Sequence, residues 1–132
     1  MVIPPRILNP SEFLDASDKG GVILDVRSPS EFNEGHIAGA VSWPLFSNNE
    51  RAQIGTLYKL KSREMAIDLG LELIGPRMAD MAKYGRELFE SQVDSEGNPV
   101  RHPLFVHCWR GGMRSESVAW LLRTAAVPAV VL

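Results

Sequence analysis

The chain has 132 residues, of which 45% are hydrophobic and 23% charged, with a formal net charge of −2; this is the composition of one globular domain with a real core and excludes a disordered polymer. The slightly acidic balance excludes unaided gripping of nucleic acid through a strongly basic face, leaving only local or shared RNA contact. A single cysteine, Cys108, excludes an internal disulfide framework and any redox cycle that resolves through a second thiol of the same chain.

At the N-terminus, MVIPPRILNP lacks a basic segment followed by a long apolar stretch. Nowhere does the chain approach the roughly 20 apolar residues needed to span a bilayer. A cytoplasmic protein without membrane contact is expected. Gly20-Gly21 then leads into Val22-Ile23-Leu24-Asp25-Val26, an apolar run bounded by turn residues that reads as a buried parallel strand with Asp25 and Arg27 at its carboxyl end. Ser28 is placed as the N-cap of a short helix, with Pro29 at its first position and Glu31 at the spacing of a capping box. Gly35 to Ala40 reads as a tight turn into a second strand near Val41-Ser42.

From Ser47 to Leu73 the apolar residues Ile54, Leu57, Tyr58, Met65, Ile67, Leu69 and Leu73 follow helical spacing, with a break expected near Gly70. A further amphipathic helix is expected from Pro76, with Met78, Met81, Leu88 and Phe89 toward one side as core filler. DSEGNP, residues 94–99, is a turn by composition. Leu104-Phe105-Val106 reads as a strand ending at His107-Cys108, and Val118, Leu121 and Leu122 place a helix after the loop that follows. Val130-Val131-Leu132 begins one more strand. Strands alternating with helices predict an α/β fold with a central parallel sheet flanked by helices, whose ligands sit beyond the carboxyl ends of the strands. Asp25, Arg27 and Cys108 all fall there.

The chemistry concentrates in HCWRGGMRS, residues 107–115. A helix N-terminus together with Arg110 and Arg114 favours the thiolate, the form in which cysteine attacks. Gly111-Gly112 lets successive backbone N–H groups turn inward, so that the amides of Trp109, Arg110, Gly111, Gly112, Met113 and Arg114 form an anion-binding nest. Phosphate, thiosulfate and a cysteine persulfide would all suit it. Cysteine, five residues, arginine and then a hydroxyl residue is the spacing of tyrosine phosphatases, but their chemistry also needs a carboxylic acid to protonate the leaving group. The loop holds none, Trp43-Pro44-Leu45 lacks the acid of a Trp-Pro-Asp loop, and Glu116 is expected to face solvent. Sulfur transfer needs only one thiolate and an anion-stabilising pocket. His36, His102 and His107 have no metal-ligand spacing with one another or with Cys108, and no metal is expected. Trp109 is left open between packing over a base or prenyl chain and closing the loop against the core.

Asp25-Val26-Arg27-Ser28-Pro29-Ser30-Glu31-Phe32, followed by Gly35-His36-Ile37-Ala38-Gly39-Ala40 and Pro44, resembles the first motif of rhodanese-like domains. Ala38 and Ser42 stand where proline and asparagine are common. The resemblance implies that Asp25 and Arg27 brace the loop, that Cys108 is the nucleophile, and that Arg114 holds oxyanions while Arg110 adds positive potential. The CWRGGMRS loop, with Pro44-Leu45-Phe46, Asn49-Glu50-Arg51, Ile54-Gly55-Thr56, Tyr58-Lys59 and Ala66 to Gly70, is similar to the rhodanese domain of bacterial tRNA 2-selenouridine synthases. That likeness implies replacement of sulfur by selenium in wobble 2-thiouridine of tRNA, with selenophosphate and geranyl diphosphate as co-substrates. Arg51, Lys59, Lys61 and Arg63 form a modest basic segment, more simply read as a solvated helix face than as a tRNA contact. Those synthases continue into a P-loop domain, and no G-x-x-x-x-G-K-[ST] occurs here. Residues 1–132 are therefore expected to be a single rhodanese-like domain, a fragment lacking the last part of the fold and the P-loop domain. The alternatives are a generic thiosulfate sulfurtransferase, a cysteine phosphatase and a non-catalytic docking module.

Overall fold

A computed structural model of the chain describes residues 21–109 and 112–131. Four parallel strands, β1 (Ile23–Asp25), β2 (Val41–Ser42), β3 (Leu104–His107) and β4 (Ala129–Val131), form one sheet in the order β2-β1-β3-β4. Leu24 pairs with Val41 on one side and with Val106 on the other, and Val106 pairs in turn with Val131. The central pair β1 and β3 is buried along almost its whole length, as continuous apolar runs in a parallel sheet require. Their register sets Asp25 opposite His107, so Arg27 and Cys108 leave adjacent strands at the same end of the sheet.

Five α-helices complete the described residues: α1 (Pro29–Glu34), α2 (Asn48–Leu60), α3 (Arg63–Ile74), α4 (Met78–Glu90) and α5 (Met113–Thr124). The Ser28 capping box forms as the sequence predicts, and an equivalent box of Ser47 and Glu50 opens α2. The expected break near Gly70 is a correction: the helices part at Lys61-Ser62, where the Ser62 hydroxyl accepts the Met65 N–H and starts α3. Gly70 instead lies inside α3, buried against Phe46, where a Cβ would make an ordinary contact with the ring at 3.5 Å. Pro76 is likewise displaced from the first position of an α-helix to a single 3-10 turn, Gly75–Arg77, that links α3 to α4.

Leu24, Leu104 and Val106 of the sheet, with Val26 just past β1, pack with Val118, Ala119 and Leu122 of α5, and Met81, Leu88 and Phe89 of α4 close over them. The core thus anchors the segments on both sides of the cysteine loop, β3 before it and α5 after it. Residues 94–99 turn as expected, with the Asp94 carboxylate accepting the N–H groups of Glu96 and Asn98. No helix among the described residues is long and apolar enough to cross a membrane.

Candidate active site

Cys108 follows β3 directly and is almost wholly buried at 2% exposure. Its Sγ lies 3.0 Å from the Ser115 hydroxyl, which is itself 3.0 Å from the Gly112 carbonyl oxygen. The loop closes tightly on the sulfur. Gly112 donates its N–H to the Trp109 carbonyl at 2.9 Å, and a Cβ at Gly112 would meet that same oxygen at 3.0 Å and Sγ at 3.3 Å. Only glycine fits that approach without displacement of the loop. Arg110 and Gly111 lie outside the described residues.

Asp25 and Arg27 form a buried, multiply bonded pair. The Arg27 Nε and Nη2 both donate to the Asp25 carboxylate, with Nη2 at 2.7 Å, and Nη2 also reaches the Gly35 carbonyl at 2.7 Å. The guanidinium carbon sits 4.9 Å from the centre of the Trp109 ring, a cation–π distance. The two strand-end residues therefore touch the cysteine loop through Trp109, whose ring is otherwise half exposed.

Sequence reasoning gave Glu31 only its capping role, and the structure adds a larger one. The Glu31 Oε2 accepts the Trp109 indole N–H at 2.6 Å and the Arg114 Nη2 at 3.3 Å. Oε1 accepts Arg114 Nη1 at 2.7 Å, Arg51 Nε at 2.9 Å, and both the backbone N–H and hydroxyl of Ser28. Burial alone would raise the Glu31 pKa, but the hydrogen bonds from Arg114 and Ser28 outweigh it and hold the carboxyl down to about 2. Glu31 is thus ionised and donates no proton. Glu116, past the loop, is exposed as expected. Met113 is exposed, and its sulfur is 3.9 Å from the Arg63 guanidinium. Burial lowers the His107 pKa, and its Nδ1 has no hydrogen-bond partner.

Beside Arg114, a groove of about 560 Å³ opens between α2, α3 and the start of α5. Ile54, Tyr58, Ala66 and Leu71 contribute to its apolar wall, and Arg51, Lys59 and Arg63 bring cationic groups to it.

Comparisons with known proteins give the family and the fold of the chain. The tRNA 2-selenouridine synthase of Bdellovibrio bacteriovorus is 35% identical over 116 residues, covering 86% of this chain and 28% of that protein. The enzyme of the same name from Proteus mirabilis is 41% identical over 102 residues, 75% of this chain and 25% of that one. The chain thus spans under a third of the length of the curated relatives it matches. A crystal structure of the N-terminal domain of a Clostridium difficile 630 protein, provisionally titled an ATP/GTP binding protein, superposes with a TM-score of 0.80 at 29% identity, covering 96% of this chain and 89% of that one. The rhodanese-like domain model matches residues 9–132, and with the parallel sheet and its strand-end thiol this establishes that the chain belongs to the rhodanese-like domain family.

Proposed function

We propose that this chain is the sulfur- and selenium-transfer domain of a tRNA 2-selenouridine synthase and that Cys108 is its nucleophile. The observation that carries the reading is the seating of the one thiol at the carboxyl end of β3, against Ser115 and inside a loop drawn in by Arg114. With thiosulfate, the Cys108 thiolate attacks the outer sulfur, a new S–S bond forms, and sulfite leaves with the electron pair of the broken bond. The persulfide that remains is the carried group. The unspent N–H groups of Arg114 hold the oxyanion of the donor; the Gly112 amide is already engaged by the Trp109 carbonyl.

The names of the relatives support tRNA as the acceptor, with wobble 2-thiouridine exchanged for 2-selenouridine. In this reading selenophosphate is the selenium donor and geranyl diphosphate forms the S-geranylated intermediate. The apolar groove beside Arg114, with Arg51, Lys59 and Arg63 at its edges, offers hydrocarbon contact and positive charge together, which is what a prenyl diphosphate needs. The ionised state of Glu31 argues against the phosphatase alternative, because this carboxylate at the loop is no acid for a leaving alkoxide.

Intact mass of the reduced chain after incubation with thiosulfate tests the reading, with Cys108→Ser in parallel and aryl phosphate hydrolysis followed beside it. A gain of one sulfur atom on the parent chain and none on the variant is expected. Phosphate release without an adduct would overturn it.

A further inference from the structure

We propose that Glu31 is a positioning and specificity-determining residue: it fixes both ends of the cysteine loop and sets the net charge of the pocket mouth, and so the preference of Cys108 for anionic over neutral partners. This rests on the reading of Cys108 as the nucleophile. Trp109 and Arg114, the residues that open and close the loop after Cys108, converge on one carboxylate that lies 78 and 83 residues upstream in the chain. Arg51 joins them from α2. The carboxylate receives six hydrogen bonds or ion-pair contacts from four residues, more than its roughly four lone-pair sites accommodate at ideal geometry, so it is saturated.

The charge arithmetic follows from the same contacts. Arg114 and Arg51 bring two positive charges to the loop, and Glu31 cancels one of them. Arg27 adds nothing net, because Asp25 neutralises it. An incoming anion therefore meets one unbalanced guanidinium charge from this cluster in place of two. The part of the Arg114 fork that faces Glu31 is also unavailable to it. A purely mechanical staple would hold the loop equally well for charged and uncharged reagents, whereas a charge-setting group must discriminate between them.

Iodoacetate and iodoacetamide separate the two roles, since they alkylate a thiol at the same carbon and differ by one charge. In Glu31→Gln the ratio of the iodoacetate to the iodoacetamide rate constant at Cys108 should rise about fivefold at low ionic strength and fall back with added salt. Arg51→Gln, at a side chain that is half exposed, should lower the ratio by about the same factor. Glu31→Asp keeps the charge, so its ratio should stay within about twofold of the parent even where both rates change. An unchanged ratio in Glu31→Gln and Arg51→Gln would overturn the proposal. Where circular dichroism shows Glu31→Gln unfolded, Arg51→Gln decides alone. Failure of the parent chain to form a persulfide counts against the sulfur-carrier reading and is recorded separately, because the alkylation ratio does not depend on it.

Discussion

The Ser115 hydroxyl stands 3.0 Å from the Cys108 sulfur and 3.0 Å from the Gly112 carbonyl, with one proton to share between them. While Cys108 is a thiol, Ser115 donates to the carbonyl and receives the S–H. Once the thiolate forms, the hydroxyl proton turns to the sulfur. The residue therefore stabilises the reactive form with a hydrogen bond to a charged acceptor, which is worth more than one to a neutral group. Ser115→Ala should slow alkylation of Cys108 near neutral pH by about tenfold while changing the urea midpoint little, and Ser115→Thr should restore most of the rate. Equal rates in parent and Ser115→Ala would show that the contact is packing only.

The Asp25–Arg27 pair makes a different claim on the fold. Both side chains are buried, and among the described residues the Arg27 guanidinium meets the Gly35 carbonyl and the Trp109 face besides Asp25. Removing one partner strands the other charge inside the protein. Asp25→Ala should cost about 3 kcal/mol or more, read from urea unfolding, whereas an exposed pair would cost under about 1 kcal/mol. The same variant should loosen Trp109 and slow sulfur transfer at temperatures where it remains folded.

Acid should weaken the structure in a defined window. The Glu31 pKa is held at about 2 against an ordinary 4.5, so its ion pairs contribute full stability above pH 4.5 and lose it as the pH falls toward 2. For this buried carboxylate the loss amounts to roughly 2–3 kcal/mol. Glu50 behaves in the same direction: the Arg77 hydrogen bond holds its carboxyl down to about 2, but the partner side chain is 41% exposed and solvent screening makes its share smaller. His107, lowered by burial, adds a loss that begins as the pH falls below 6.5. Urea unfolding of the parent and Glu31→Gln at pH 7, 4.5 and 2.5 checks the assignment: the stability gap should be widest at pH 7, little changed at pH 4.5 and reduced to about a quarter at pH 2.5.

How much of this was legible depends on how far apart the partners lie in the chain. The capping box of Ser28 and Glu31 spans three residues and is readable as a local pattern, as are the apolar strands and the turn at residues 94–99. The second role of Glu31 is not, because Trp109 and Arg114 reach it only after β1 and β3 have paired, and Arg51 comes to it from another helix. The hydroxyl of Ser115 is visible as a residue type after the arginine, but its use is a distance, and no spacing rule supplies that. The misplaced helix break has a similar origin. Glycine weakens an isolated helix, yet Gly70 is buried against the ring of Phe46, a residue outside the helix, and that packing carries α3 through it.

The end of α5 offers a change that should stabilise the protein without touching the site. Val127 donates its N–H to Leu122 at 2.8 Å and Ala126 to Arg123 at 3.0 Å, the two hydrogen bonds of a Schellman cap, and the buried Val127 sits with Leu122 in the core cluster as that motif prefers. The cap requires a left-handed residue, and Ala126 has a φ of 64°. A Cβ in that conformation crowds the following carbonyl, at a cost of about 1 kcal/mol. Glycine escapes the cost but loses more entropy on folding, which returns part of the gain. Ala126→Gly should therefore raise stability by about 0.5 kcal/mol in urea unfolding, with sulfur transfer by Cys108 unchanged. A destabilised variant would mean that the strain at this turn is smaller than the entropy that glycine adds to the unfolded chain.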